Sequence, residues 1–359
     1  MASLCPSGWS NRVASTLSDS AAPFLQACRG QAPATPPIWI MRQAGRILKP
    51  YRELRQRHGS LLKLFQTPEL AAEITLMPVD MLGVDAAILF TDLVTPLEAL
   101  GCELAYAPGP VLSHPVRSAA DIDGLRSPVP EDDLAYVLEA ARLVRKALPP
   151  AVPLIGYAGG PFTLATWLVE GSHAKDFPAF RRMIHSDPAL AHRLLDLLTD
   201  LASRFLRAQI AAGAHAVQIF DTSIGLLSPA QFNEFALPYV RRVCRSLAAL
   251  DAPVIYFPLA GAQNLSSFGR VGAQVLSLDW RIDLDAAYGL FGDTMPLQGN
   301  LDPCALYGSE ASIAKAAQHI LKQGRGRPHI FNLGHGVYPD TPYEKVKLLV
   351  DVVHQFAQT

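Results

Sequence analysis

Between residues 42 and 57 the chain sets six basic side chains, Arg42, Arg46, Lys49, Arg52, Arg55 and Arg57, against one acid, Glu53. A guanidinium can grip a carboxylate through two parallel hydrogen bonds, so such a run suits a ligand with several carboxylates. Arg42 and Arg46 are four residues apart and would share one face of a helical turn. Gly45 between them would let the backbone turn tightly. A solvated basic helix face explains Arg52, Arg55 and Arg57 equally well. Arg42 and Arg46 stand out because they follow directly on an apolar run.

Asp92, in Phe90-Thr91-Asp92-Leu93, also sits just past an apolar run. A carboxylate there is costly to desolvate unless donors or a cation meet it. Its plainer role would be to cap a helix or pair with an arginine. His335 lies in Asn332-Leu333-Gly334-His335-Gly336, where the glycines mark a loop whose backbone approaches something closely. The other histidines, His215 included, read as structural.

These residues need a scaffold that brings them together. Short apolar stretches, often β-branched, recur at Ile38–Met41, Ala86–Phe90, Pro153–Ala158, Ala216–Phe220, Pro253–Phe257, Val275–Asp279, Pro296–Asn300 and His329–Gly334. Each is too short for a helix and lacks polar alternation, the pattern of parallel strands buried on both faces. The intervening segments read as helices, most clearly Glu69–Met81 and Ala189–Ala212, with apolar positions three and four apart. Pro-rich stretches such as Ala107–Val116 and Ser127–Pro130 mark loops. Eight βα units in one chain predict an α/β fold, a single (β/α)8 TIM barrel with its site at the C-terminal ends of the strands. A Rossmann-like sheet would need a Gly-rich turn after its first strand, where Arg42-Gln43-Ala44-Gly45-Arg46 stands instead. In barrel terms Arg42 and Arg46 follow strand one, Asp92 strand two, Thr222 strand four and His335 strand eight. Asp279, Gln298 and Asn300 end strands six and seven. Packing alone does not predict polar residues at one end of so many strands.

Composition narrows the class. Of 359 residues half are hydrophobic and only 18% are charged, ample for a large core. The formal net charge of −1 gives no global pull on an anion, so any positive charge must be local, and neither nucleic acid nor membrane is an expected partner. The five cysteines, Cys5, Cys28, Cys102, Cys244 and Cys304, form no C-x-x-C pair, which fits reduced thiols in a cytoplasmic protein rather than a disulfide frame or zinc ribbon. No run approaches the roughly 18–20 apolar residues of a membrane span. Residues 1–22, rich in Ser and Ala, read as a flexible N-terminal extension, with an organellar transit segment as the alternative since Arg12 precedes the first acid, Asp19. Residues 23–359 read as one domain.

Pro37-Ile38-Trp39-Ile40-Met41-Arg42-Gln43-Ala44-Gly45-Arg46 closely resembles the signature of the uroporphyrinogen decarboxylase family. So, in the family's order, do Ile155-Gly156-Tyr157-Ala158-Gly159-Gly160-Pro161, Val217-Gln218-Ile219-Phe220-Asp221, Leu297-Gln298-Gly299-Asn300-Leu301-Asp302-Pro303 and Phe331-Asn332-Leu333-Gly334-His335-Gly336. The first run is highly specific, and the rest are strong only together. The resemblance implies a homodimeric TIM barrel that works without cofactor or metal in tetrapyrrole (heme or chlorophyll) biosynthesis. The expected reaction turns the four acetate side chains of uroporphyrinogen III into methyls, giving coproporphyrinogen III and carbon dioxide. It further implies that Asp92 holds the pyrrole nitrogens and stabilises the transition state, with Arg42 also catalytic. Arg42, Gln43, Ala44, Gly45, Arg46, Leu61, Asp92, Trp167, Thr222 and His335 would all contact substrate. The proton donor stays open between Arg42, a substrate carboxylic acid and a water held by Arg42, because an arginine is a reluctant acid.

Several positions depart from the family pattern. Trp167 stands where a substrate-contacting tyrosine is usual, and an indole donates but cannot accept. Tyr157 replaces a usual phenylalanine nearby and could return a hydroxyl. Thr222 replaces a serine, and Leu61 falls where some relatives place a phenylalanine. Ile47-Leu48-Lys49-Pro50 replaces Tyr-Leu-Pro-Glu, and Tyr256-Phe257-Pro258-Leu259-Ala260 lacks a usual Lys-Gly. Two other functions compete. A corrinoid-dependent methyltransferase on the same barrel would need zinc-binding thiolates, yet no cysteine lies near the ends of strands five or eight. A tetrapyrrole-binding paralogue without catalysis is the non-enzymatic alternative, suggested by Trp167.

Overall fold

The computed structural model describes residues 22–356 apart from Pro108. The extension expected over residues 1–22 therefore lies outside the described residues except for Ala22, which is buried at the head of the helix Pro23–Cys28.

Among the described residues nine strands form in chain order: β1 (Ala87–Ile88), β2 (Leu104–Tyr106), β3 (Pro110–Leu112), β4 (Leu154–Gly159), β5 (Ala216–Asp221), β6 (Val254–Pro258), β7 (Val275–Ser277), β8 (Leu297–Leu301) and β9 (His329–Leu333). Seven make one parallel sheet in the order β1-β4-β5-β6-β7-β8-β9, so strand neighbours in space are neighbours in sequence once the β2–β3 hairpin is set aside. Side chains of β5, β6, β8 and β9 are buried almost without interruption, because helices cover one face of the sheet and the barrel interior the other. The hairpin falls partly in the stretch read as loop. Pro110 opens β3, a place where a strand tolerates a residue with no N–H to give.

The first expected strand closes the barrel differently from the rest. Ile38 forms a single parallel bridge with Phe331. The Phe331 N–H donates to Pro37 O at 2.8 Å, and on the other side the Asp85 N–H donates to Ile38 O at 2.8 Å. Beyond that point side chains replace the ladder. The Ile40 N–H donates to Gln43 Oε1 at 2.9 Å, the Met41 N–H to Asn332 Oδ1 at 3.0 Å, and Gln43 Nε2 to Ala86 O at 3.0 Å. The segment thus sits between β9 and β1 and completes an α/β TIM-type barrel with seven regular strands and one bridged position.

The two clearest expected helices form as Pro68–Leu82 and Pro188–Ala211. The first ends at Gly83 with φ of 75°, a left-handed conformation glycine adopts without penalty. The second begins with Pro at its first turn, and the Asp187 side chain accepts from the Leu190 N–H as cap. Its buried stripe, Leu194, Leu195, Leu198, Leu201, Ala202 and Phe205, packs on the sheet, each large side chain contributing roughly 1.5–3 kcal/mol by leaving water.

Much of the polar material at the strand ends is structural. Inside the barrel Trp39 Nε1 donates to Gln298 Oε1 at 2.9 Å, and Gln298 Nε2 donates to Ser277 Oγ at 2.8 Å and Gln218 Oε1 at 3.1 Å. Asn300 Nδ2 donates to Asp279 O and Ile282 O at 2.9 and 2.6 Å. The buried Asp279 carboxylate accepts the N–H groups of Ala260 and Arg281 at 2.5 and 2.9 Å. Gln298, Asn300 and Asp279 therefore fasten the interior and the loops, which corrects the expectation that polar strand ends belong to chemistry. His215 behaves as read: its Nδ1 accepts the Leu154 N–H at 2.9 Å.

Candidate active site

One cleft of about 820 Å³, its open mouth included, lies at the C-terminal ends of the strands. Its wall is built from Met41, Arg42 and Ala44, the segment Ile88–Leu93, Tyr157 of β4, Phe220 and Thr222 at the end of β5, Phe257 of β6, and His335 with Gly336 after β9. Six separate chain segments meet there, as the barrel topology requires.

Arg42, Ala44, Asp92, Thr222 and His335 are brought together as expected. Arg46 is exposed and, like Gly45, lies outside the wall of the cleft. Gln43 is fully buried, and both ends of its amide are committed to Ile40 and Ala86. Leu61 begins the helix Leu61–Gln66 away from the cleft wall. Trp167, on the helix Pro161–Glu170, packs instead in an aromatic group, edge-on to Phe177 at 5.5 Å and tilted against His173 at 5.9 Å between ring centres.

The turn carrying the arginines differs from the helical expectation. Residues 41–47 are turns and bends, and the helix begins only at Lys49. The left-handed residue is Arg42 itself, with φ of 62°, rather than Gly45. A side chain at Gly45 would meet nothing nearer than Arg42 O at 3.5 Å, ordinary contact. Holding a non-glycine residue in this region costs on the order of 1 kcal/mol or more, and the bonds of Gln43 and Asn332 around it sustain the conformation. Space for the Arg42 stem comes from Gly336, where a Cβ would stand 2.3 Å from Arg42 Cδ and 2.6 Å from Cγ. Among the described residues neither Arg42 nor Arg46 forms an ion pair or donates a side-chain hydrogen bond, so both guanidinium groups are open to a ligand. By contrast Arg52 Nη1 donates to Arg46 O and Ile47 O, and Arg55 Nη1 to Gly59 O, which ties the turn and the helix end.

Asp92 presents its carboxyl to the cleft. Its Oδ1 accepts the Val94 N–H at 3.1 Å, the Leu93 N–H also lies near the carboxyl, and no well-formed hydrogen bond to Oδ2 is made among the described residues. Burial raises its pKa above the ordinary carboxylate range, opposed by the Val94 N–H, the Arg42 charge and the Leu93 N–H. His335 is moved the other way, down to about 4, first by burial and then by the Arg42 charge. A neutral imidazole thus faces the cleft at neutral pH, beside a cation and a carboxyl with a free oxygen. Such a set can accept from N–H groups, bind carboxylates and donate from an uncharged ring.

The apolar part of the wall was not legible. Phe220, Phe257 and Phe90 line the cleft, yet at the end of a buried strand a phenylalanine reads like any core residue. Gly336 carried a signal, its glycine-flanked histidine, though not its specific use as room for Arg42.

Among the described residues no three His, Cys, Asp or Glu side chains gather into a metal-binding group, and no helix is long and apolar enough to cross a membrane. The chain is 24% identical to a solved methyltransferase from Methanosarcina mazei, with a TM-score of 0.78, covering 92% of this chain and 97% of that one, a likeness of fold. Among curated proteins it is 47% identical to the uroporphyrinogen decarboxylase of Trichlorobacter lovleyi, over 93% of this chain and 98% of that protein. The uroporphyrinogen decarboxylase of Syntrophotalea carbinolica is likewise 47% identical, over 94% and 98%. Residues 19–356 match the family model for uroporphyrinogen decarboxylase, and the chain belongs to that family.

Proposed function

We propose that the cleft binds uroporphyrinogen with its pyrrole N–H groups on Asp92 and its peripheral carboxylates toward Arg42 and Arg46, and that the site decarboxylates the acetate arms using the pyrrole as electron sink. The observation that carries this reading is the half-buried Asp92 carboxyl with one free oxygen, set among apolar side chains beside the unpaired Arg42.

A proton added to a pyrrole α-carbon makes the ring cationic. The acetate C–C bond then breaks, carbon dioxide leaves, and the bonding pair moves into the ring as an exocyclic methylene. Protonation of the methylene gives the methyl, and loss of the α-proton restores the pyrrole. Each round consumes one proton and releases one carbon dioxide. Asp92 as carboxylate stabilises the cation in both halves, an electrostatic effect that a preorganised, partly dry site strengthens. Arg42 anchors a carboxylate and, with a bound water or a substrate carboxylic acid, is one of the candidate routes for the proton. Thr222 and Ala44 contact the ring directly, Gln43 holds the turn from behind the cleft wall, and Gly45, Leu61 and Trp167 serve the outer reaches of the substrate.

Four rounds take uroporphyrinogen III to coproporphyrinogen III. We further propose a cytoplasmic homodimer that needs no cofactor. Cys28, Cys102, Cys244 and Cys304 are all free thiols, which accords with a reducing compartment. The test is purified protein incubated anaerobically with uroporphyrinogen III and a metal chelator. Stepwise appearance of hepta-, hexa-, penta- and tetracarboxylate products is expected; no product under these conditions overturns the reading.

A further inference from the structure

Tyr157 lines the cleft, yet its hydroxyl is already engaged. It donates to the backbone carbonyl of Thr91 at 2.6 Å, linking the end of β4 to the residue preceding Asp92. The Tyr157 backbone is clamped from behind on both its polar groups. The Tyr157 N–H donates to Gln209 Oε1 and Gln209 Nε2 donates to Tyr157 O, each at 2.9 Å, from a glutamine with no exposed surface. Gly156 makes this clamp fit, since a Cβ there would stand 2.7 Å from Gln209 Oε1. The ring packs edge-on to Phe220 with centres 5.3 Å apart. Tyr157 is therefore a fixed post, and its bond to Thr91 transfers that rigidity to the loop.

The Phe90 N–H, one residue before Thr91, donates to Thr75 Oγ1 at 2.9 Å. Thr95 Oγ1 accepts from the Asp92 N–H at 3.2 Å and from Thr91 Oγ1 at 3.1 Å, and Val94 donates to Oδ1. These partners lie within residues 91–95 of the same segment, Thr95 being the first residue of the buried 3-10 turn Thr95–Leu100. Among the described residues the Tyr157 hydroxyl makes the only hydrogen bond from another barrel strand to Thr91 or Asp92.

We infer that Tyr157 is a positioning residue: its hydroxyl, through the Thr91 carbonyl, fixes where the Asp92 carboxyl stands in the cleft. This rests on the assignment of Asp92 as the group that stabilises the pyrrole cation. A carboxylate displaced by a fraction of an ångström still binds N–H groups but meets the developing charge less well, so the loss falls on turnover more than on binding.

The test is Tyr157→Phe, which keeps the ring and its Phe220 contact and removes only the donor, made in both the wild-type and Asp92→Asn backgrounds. In wild type, kcat is expected to fall about tenfold with KM within about twofold, the size of effect that follows from freeing one buried carbonyl. In Asp92→Asn the same change is expected to do nothing further, because the group it positions is gone. A wild-type kcat in Tyr157→Phe, a loss confined to KM, or the same tenfold loss in both backgrounds would overturn the inference. Absence of product from the unaltered enzyme would instead overturn the function proposed for the whole site.

Discussion

Replacing Asp92 by asparagine separates charge from shape. The amide keeps the carboxyl outline and can still accept the Val94 N–H, but it cannot offer a full negative charge to a cationic ring. At about 4 Å and an effective dielectric near 20, that attraction is worth about 4 kcal/mol gross, a rate factor on the order of a thousand. Burial already penalises this carboxylate, as its raised pKa records, so the substitution should not destabilise the fold. An acid whose pKa rises on folding costs stability at pH above its folded value; the cost fades as pH falls through that value and is gone below the unfolded one. Asp92→Asn is thus expected to melt at the same temperature or higher at pH 7. Its coproporphyrinogen formation, followed by separating the oxidised porphyrins, should drop by about three orders of magnitude. In the unaltered enzyme kcat/KM should decline on the acid side through a pKa above the usual aspartate value, as the carboxylate is protonated. Turnover in Asp92→Asn within tenfold of wild type would refute the electrostatic argument, and a strongly lowered melting temperature would refute the claim that the charge is a cost to the fold.

Gly336→Ala should push the Arg42 stem aside, since the new methyl would lie 2.3 Å from Cδ, raising KM about tenfold while leaving the melting temperature within a few degrees; unchanged KM would show that Arg42 has another way in. Arg46→Ala, at an exposed guanidinium, should raise KM only about two- to fivefold and flatten its dependence on salt, whereas an effect on kcat alone would place Arg46 in the chemistry. Stability should fall as pH drops from 6.5 toward 4, because the buried His329, held at about 4 by burial against its Gly299 hydrogen bond, resists a proton that the unfolded chain accepts. A basic group with a lowered folded pKa contributes fully above the unfolded value, and for His329 the loss is worth about 3 kcal/mol over that window. Urea midpoints at pH 7.5 and 5.0 measure it, and an unchanged difference in His329→Gln would assign the acid sensitivity elsewhere.

The sequence determined the architecture because buried parallel strands carry their own signature. Apolar runs too short for helices, spaced by amphipathic segments, placed β4, β5, β6, β8 and β9 within a residue or two. It also determined the chemical inventory, since Arg42, Asp92, Thr222 and His335 follow strands and a barrel can only gather such residues at one mouth. The tertiary structure decided which polar residues line the cleft and which hold the frame. Gln298, Asn300 and Asp279 have the same residue types and strand-end positions as site residues, and only their partners reveal them as fasteners. The first strand could not be foreseen as a single bridge, because its ladder is replaced by the side chains of Gln43 and Asn332, the latter 291 residues away from Met41. The arginine run is the clearest division between the two. Residue type fixed its affinity for carboxylates, but its geometry comes from a left-handed Arg42 in space that Gly336 leaves open, a contact between opposite ends of the chain that no local pattern encodes.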